Sequence, residues 1–324
     1  MSISTRLTER LGLAHPVILA PMAFAGGGAL AGAVSQAGGL GLIGGGYGDG
    51  DWIDKQFKIA GNRPVGCGFI TWRLAEQPHL LEDALAQGAQ AIFLSFGDPA
   101  PFAETIKLAG VPLICQVQTR ANAVVAIEAG ADVIVAQGSE AGGHGQARAT
   151  MTLVPEIADL LAAQSPETLL CAAGGIADGR GLAAALMLGA DGVVMGSRFW
   201  ASEEALVHEN FHQSAMAASG DDTVQSSVID IVRMKDWPEQ FSCRTLKNEF
   251  TEKWHGQEAT LQKVAVEEGD AFMKALAAGN PEVAGTIVGE GVGLIHDIQP
   301  ASVLLERVIS EAEICLQKSY TTRP

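Results

Sequence analysis

The stretch AQGSEAGGHG at 136–145 sets Gln137, Glu140 and His144 among four glycines, directly after the apolar run DVIV. Imidazole titrates near neutral pH, so His144 has the chemistry of a general base. The glycines impose no side-chain walls, which lets a ligand approach the backbone closely. An ordinary turn that happens to contain a histidine fits the same residues. Two further turns carry a different chemistry. AAGGIADGRG (172–181) and MGSRF (195–199) each place glycine between an apolar run and helical sequence. Backbone N–H groups at such a turn bind phosphate, which makes Gly174, Gly175, Gly196 and Ser197 candidate phosphate ligands; two tight turns with no ligand are the plainer alternative. In RPVGCGFITWRL (63–74), Phe69 and Trp72 serve either as an apolar substrate wall or as core.

Other chemistries lack their signatures. His208 and His212 stand four apart, a spacing that can hold a metal on a helix face, but no third ligand or HExxH accompanies them, so no metal site is expected. No nucleophile elbow, Walker A loop or Cys–His pair occurs. The five cysteines show no CxxC spacing, and three lie in apolar runs, which points to buried, reduced thiols.

The elements that must position these residues form a repeating pattern. Short apolar runs occur at 17–21, 39–44, 65–69, 91–96, 113–117, 132–137, 169–175 and 192–197. Ala-rich or amphipathic stretches separate them, several ending in AGG, AGA or LGA, where glycine closes a helix before the next strand. Eight strand–helix units in about 200 residues predict a (β/α)₈ TIM barrel rather than an open doubly wound sheet, and no GxGxxG follows the first strand. Pro21–Met22, Gly68–Phe69, Ser95–Phe96, Gln116, Gln137–Gly138, Gly174–Gly175 and Gly196–Ser197 then fall at the strand C-termini, the face where barrels place their sites. From about 203 the sequence is more charged and reads as mostly helical. This predicts a barrel of 1–205 and 284–324, interrupted at 206–283 by a helical insert over the barrel mouth.

With 21 Lys+Arg against 37 Asp+Glu the net charge is −16, and no basic cluster offers a footprint for nucleic acid or an anionic membrane. The start, MSISTRLTERLGLAHP, has no apolar segment of a secretory signal, and no uninterrupted apolar run suggests a membrane span. A cytoplasmic protein is expected; a homodimer is compatible with the composition but not required by it.

ILAPMA near the start, AQGSEAGGHG, AAGGIADGRGLAAALMLGADGVVMGSRF and GEGVGLIHDI together resemble the nitronate monooxygenase family, once called 2-nitropropane dioxygenases. The resemblance covers about 1–200 and 284–313. It implies an FMN-binding TIM barrel that oxidises alkyl nitronates or nitroalkanes with O₂ to a carbonyl compound and nitrite. By position it implies Pro21 and Met22 along the flavin ring, and Gly68, Gln116 and Gln137 at the ring or ribityl chain. Gly138 and Gly142 of the central motif join this cofactor set. Gly174, Gly175, Gly196 and Ser197 fall at the phosphate, His144 at the catalytic histidine, and Phe69 and Trp72 beside the substrate. The chain departs from the family in having only two tyrosines, Tyr47 and Tyr320, and in carrying Gly145 where an arginine commonly follows the histidine. The EAGGH phrase also occurs in relatives that resemble FMN-dependent enoyl-acyl-carrier and NADH:quinone reductases. An NADH-dependent FMN reductase acting on a quinone or enoyl thioester is therefore the alternative reading.

Overall fold

A computed structural model describes residues 3–318; Tyr320 lies outside the described residues. The strands in chain order are β1 (Val17–Leu19), β2 (Gly41–Gly46), β3 (Val65–Ile70), β4 (Ile92–Ser95), β5 (Leu113–Val117), β6 (Val133–Gln137), β7 (Gly143–Gly145), β8 (Leu169–Ala173), β9 (Gly192–Met195), β10 (Thr223–Ser226) and β11 (Ser242–Leu246). Eight of them, β1 to β6 with β8 and β9, run parallel in one sheet. Its two ends meet where Leu19 N–H donates to Leu40 O at 2.9 Å and Leu40 N–H to Val17 O at 3.0 Å. The closed sheet is the (β/α)₈ barrel expected from the eight apolar runs.

Each strand is apolar along its length because both faces are covered. Phe93, Val133 and Val135 point into the barrel, packed with Ile18, Leu42 and Cys171, while Ile92, Leu94, Ile134 and Ala136 face the surrounding helices. This is the two-residue alternation of a strand expressed between two apolar environments rather than between core and water. Phe93 is fully buried at the centre, and truncating such a side chain to alanine costs about 3–5 kcal/mol. The glycines closing the helical repeats do what the spacing predicts: Gly130 and Gly189 take φ of 79° and 97°.

Among the described residues no further strand joins the barrel after β9. Helices Glu209–Ala217, Val228–Val232, Glu249–Trp254 and Glu258–Ala277 gather around a second apolar cluster that includes Trp200, Phe211, Phe250, Trp254 and Phe272. Ala284, Val288, Val292 and Ile295 pack into this cluster, and the long helix Ala301–Gln317 returns to the barrel, where Glu311 accepts the Gly179 N–H at 3.0 Å. The helical reading of 203–283 misses β10 and β11. These strands pair antiparallel, and β11 pairs in turn with β7, joining Ser242–Arg244 to Gly143–Gly145. Thr223, Val224 and Thr245 suit a strand, and β10 and β11 pair with one another, but the strand that ties this pair to the barrel loop, β7, lies about a hundred residues earlier.

Candidate active site

A cavity of about 920 Å³ opens at the C-terminal ends of the barrel strands. Its barrel side holds Pro21, Met22, Gly68, Phe69, Gln116, Gln137, Gly142, His144, Gly174, Gly175, Gly196 and Ser197, so most residues singled out in the sequence meet in one space. The region past β9 adds an apolar set, Leu206, Phe211, Phe272 and Leu276.

Two expected positions stand behind the wall. Gly138 does not line the cavity; a Cβ there would lie 2.1 Å from Thr150 Oγ1 and 2.4 Å from Glu140 Oε2, so its role is to let these two groups close beneath it. Trp72 is also off the cavity surface, packing edge-on against Trp237 with ring centroids 5.6 Å apart. It supports the wall rather than forming it. Phe69 does reach the cavity, though it is only 3% exposed. Glu140 is consumed structurally: its carboxylate accepts the Thr150 N–H at 3.0 Å and the Thr150 hydroxyl at 2.9 Å, holding the start of the helix Thr150–Gln164.

The turn after β8 has an unusual backbone. Gly174 and Gly175 take φ of 106° and 71° in succession, a conformation side chains resist. A Cβ on Gly174 would also lie 2.8 Å from Gly138 O. Gly196 differs: a Cβ there would meet nothing closer than Ala20 Cβ at 3.6 Å, an ordinary van der Waals contact. Ser197 Oγ accepts the Gly289 N–H at 2.9 Å, which leaves the hydroxyl hydrogen free to donate. Gln116 lines the cavity and its amide has no hydrogen-bond partner among the described residues. The resulting donor set, backbone N–H groups with a hydroxyl and a carboxamide, suits a phosphate and a hydrogen-bonding ring without basic side chains.

His144 is held more firmly than a glycine loop would allow. It sits on β7 opposite Cys243 of β11. Its carbonyl accepts from Gln137 Nε2 at 2.9 Å, and Gln137 Oε1 accepts in turn from Gln118 at 3.0 Å. Its Nε2 lies 2.8 Å from Asp230 Oδ1, and the Asp230 side chain is 4% exposed. The Trp237 ring stacks on the imidazole at 3.4 Å and 8°. Nδ1 is the ring nitrogen left without a partner among the described residues, and it is not sealed from the cavity.

An aromatic wall surrounds this group. Trp237 Nε1 donates to Tyr47 Oη at 3.0 Å, and Phe96 packs edge-on against Trp237, centroids 5.0 Å apart. Phe24 and Phe96 both line the cavity with φ above 60°, a conformation that costs bulky residues about 1–3 kcal/mol and collects at functional sites. Burial pushes the Tyr47 phenol up to about 12, so it stays neutral at physiological pH. Arg233 and Lys235 line the cavity and flank the Tyr47 ring at 5.4 and 4.7 Å, with no ion-paired carboxylate among the described residues. Burial, then repulsion from Arg233 and Arg73, lowers the Lys235 ammonium below its ordinary range.

Asp230, Trp237, Arg233, Lys235 and Tyr47 carried no signal in the sequence. They lie in VIDIVRMKDWPEQF and GGGYGDG, segments with neither period nor motif. The histidine pair has ordinary duties. His208 accepts the Asn210 N–H at its helix start, and His212 donates to the Trp200 carbonyl at 2.9 Å, with burial lowering its titration. Among the described residues no helix is long and apolar enough to cross a membrane.

A parallel barrel with one large cavity at its strand C-termini, a buried His–Asp contact and a glycine-built donor cradle defines a cofactor-sized enzyme site. The family model described as nitronate monooxygenase matches residues 4–67 and 71–311, and the chain belongs to that family of oxidoreductases. It is 35% identical to the nitronate monooxygenase npaC of Metarhizium robertsii, over 93% of this chain and 91% of that protein. It is 31% identical to the nitronate monooxygenase of Neurospora crassa, over 94% of this chain and 91% of that one. Among solved structures, FabK from Thermotoga maritima superposes with a TM-score of 0.85 at 31% identity, covering 98% of both chains.

Proposed function

We propose that this protein is an FMN-dependent nitronate monooxygenase, converting alkyl nitronates, and nitroalkanes after proton removal, to carbonyl compounds and nitrite. The observation that carries the reading is the pairing, in one 920 Å³ cavity, of a glycine-floored donor cradle with a histidine whose Nδ1 is free. Gly174, Gly175, Gly196 and Ser197 would hold the phosphate of FMN, Gln116 and Gln137 its polar edge, and Pro21 and Met22 its apolar face. Bound FMN supplies the redox chemistry, with dioxygen as the final electron acceptor. Region 206–283 would roof the site as an insert.

The chain's own residues supply the rest. His144 Nδ1 would take the α-proton of a neutral nitroalkane, leaving an imidazolium beside the nitronate. A preformed nitronate needs no such base. Arg233 and Lys235 would draw the anionic nitronate to the mouth of a protein whose net charge is −16. Trp237, Phe96 and Tyr47 would exclude water around the reacting carbon.

The test is an anaerobic stopped-flow comparison of the FMN-loaded protein. Nitronate should bleach the flavin rapidly and NADH slowly, and nitrite should accumulate once air is admitted. Rapid bleaching by NADH with none by nitronate would instead assign the protein to the FMN reductases.

A further inference from the structure

We propose that Asp230 is a positioning residue for His144: its carboxylate holds the imidazole proton on Nε2 and so keeps Nδ1 available to the substrate. This rests on the reading of His144 as the base. Asp230 Oδ1 lies 2.8 Å from His144 Nε2. An ionised carboxylate can only accept, so this contact requires the proton of a neutral ring to sit on Nε2. Nδ1 then bears the lone pair; it has no hydrogen-bond partner among the described residues, and His144 lines the cavity.

The surroundings of Asp230 favour this role over that of a plain structural tie. Its Oδ2 is buried and has no hydrogen-bond partner among the described residues. A carboxylate kept out of water with one oxygen unsatisfied is costly, and His144 is its one hydrogen-bonding side chain among the described residues. The backbone of His144 is already fixed without Asp230, through the β7–β11 pairing and the Gln137 contact to its carbonyl. Trp237 fixes the plane of the ring. What remains undetermined is which nitrogen carries the proton and how the positive charge is met once the ring accepts a second one. Asp230 answers both. It reaches the site from the helix Val228–Val232, whose turn is closed by Asp230 N–H to Ser227 O at 3.0 Å and Lys235 N–H to Asp230 O at 2.9 Å.

The experiment combines ¹⁵N-resolved imidazole spectra with paired kinetics. In the wild-type holoenzyme, the His144 signals, assigned by their loss in His144→Ala, should report a single Nε2–H tautomer. In Asp230→Asn they should report a mixture. The same variant should lose about 10²-fold in kcat on a neutral nitroalkane, the usual scale of general-base catalysis, while kcat/KM on the preformed nitronate stays within about three-fold. A wild-type proton on Nδ1 overturns the proposal without any variant. An unchanged tautomer in Asp230→Asn, or an equal loss on both substrates, overturns it as well. Failure of the wild-type enzyme to form nitrite from either substrate would count against the proposed activity alone, because the tautomer spectra are read independently of turnover.

Discussion

Replacing Gly196 with alanine separates cofactor binding from folding. The added methyl meets nothing closer than Ala20 Cβ at 3.6 Å and Met22 Sδ at 4.0 Å, and Gly196 has a negative φ of −103°. The stability of the apoprotein should therefore change by no more than about 1 kcal/mol, as at sites without strain or clash. If the backbone at 196–197 receives the FMN phosphate, the same methyl occupies the approach to those N–H groups. Loss of one or two charge-assisted hydrogen bonds, about 1.5–3 kcal/mol each, then weakens FMN binding by about ten-fold or more. Gly174→Ala is the contrasting variant. There the methyl would press to 2.8 Å from both Gly138 O and Thr150 Oγ1 at a φ of 106°, so about 1–3 kcal/mol of stability is lost before any cofactor is added. Thermal melts of the apoproteins and titration by quenching of FMN fluorescence read the two effects separately. A Gly196→Ala variant that binds FMN like the wild type would refute the phosphate cradle; a Gly174→Ala variant as stable as the wild type would refute the packing given for the turn.

His144→Ala should keep FMN bound, by its visible spectrum, and lose about 10²–10⁴-fold in nitrite formation from neutral nitroalkanes with a much smaller loss on nitronates. Replacing Arg233 and Lys235 together with glutamine should raise KM for nitronate several-fold and flatten its dependence on ionic strength, because both cations act through a field that salt screens. Burial pushes the Cys67 and Cys115 thiols up to about 12 and raises those of Cys171 and Cys243 further, so at about pH 8 almost none of these thiols is ionised. A thiol-directed alkylating reagent should then modify Cys315 alone in the native protein and all five cysteines after unfolding, counted by intact mass.

The barrel was legible because its strands are buried on both faces, which turns each into an unbroken apolar run, and because Gly130 and Gly189 mark where helices end. His144 and the glycine turns were legible for a related reason: they follow directly on such runs, so the strand count alone carries them to the cavity. Contacts made across the chain left no local trace. Asp230 meets His144 from 86 residues away, on a short helix with no motif. Trp237 belongs to a charged segment whose composition suggests solvent, yet it stacks on the imidazole. Glu140 shares the glycine-rich motif with His144, but the Thr150 N–H that claims its carboxylate lies ten residues on, at a helix start. Trp72 and Gly138 sit close to cavity residues in sequence; Trp72 falls on the helical turn Thr71–Leu74 that follows β3, and the tight packing after β6 puts Gly138 behind the wall.

The three-stranded sheet of β10, β11 and β7 bears on how this scaffold can be re-engineered. His144 rides on the edge strand of that sheet, and the other two strands belong to the region past β9. Exchanging 206–283 for the equivalent piece of a relative, as one would do to change substrate range, removes the floorboards under His144. A transplant that keeps His144 in its present place has to carry Gly143–Gly145 along with β10 and β11 as one cassette, cut from both ends of the chain's middle.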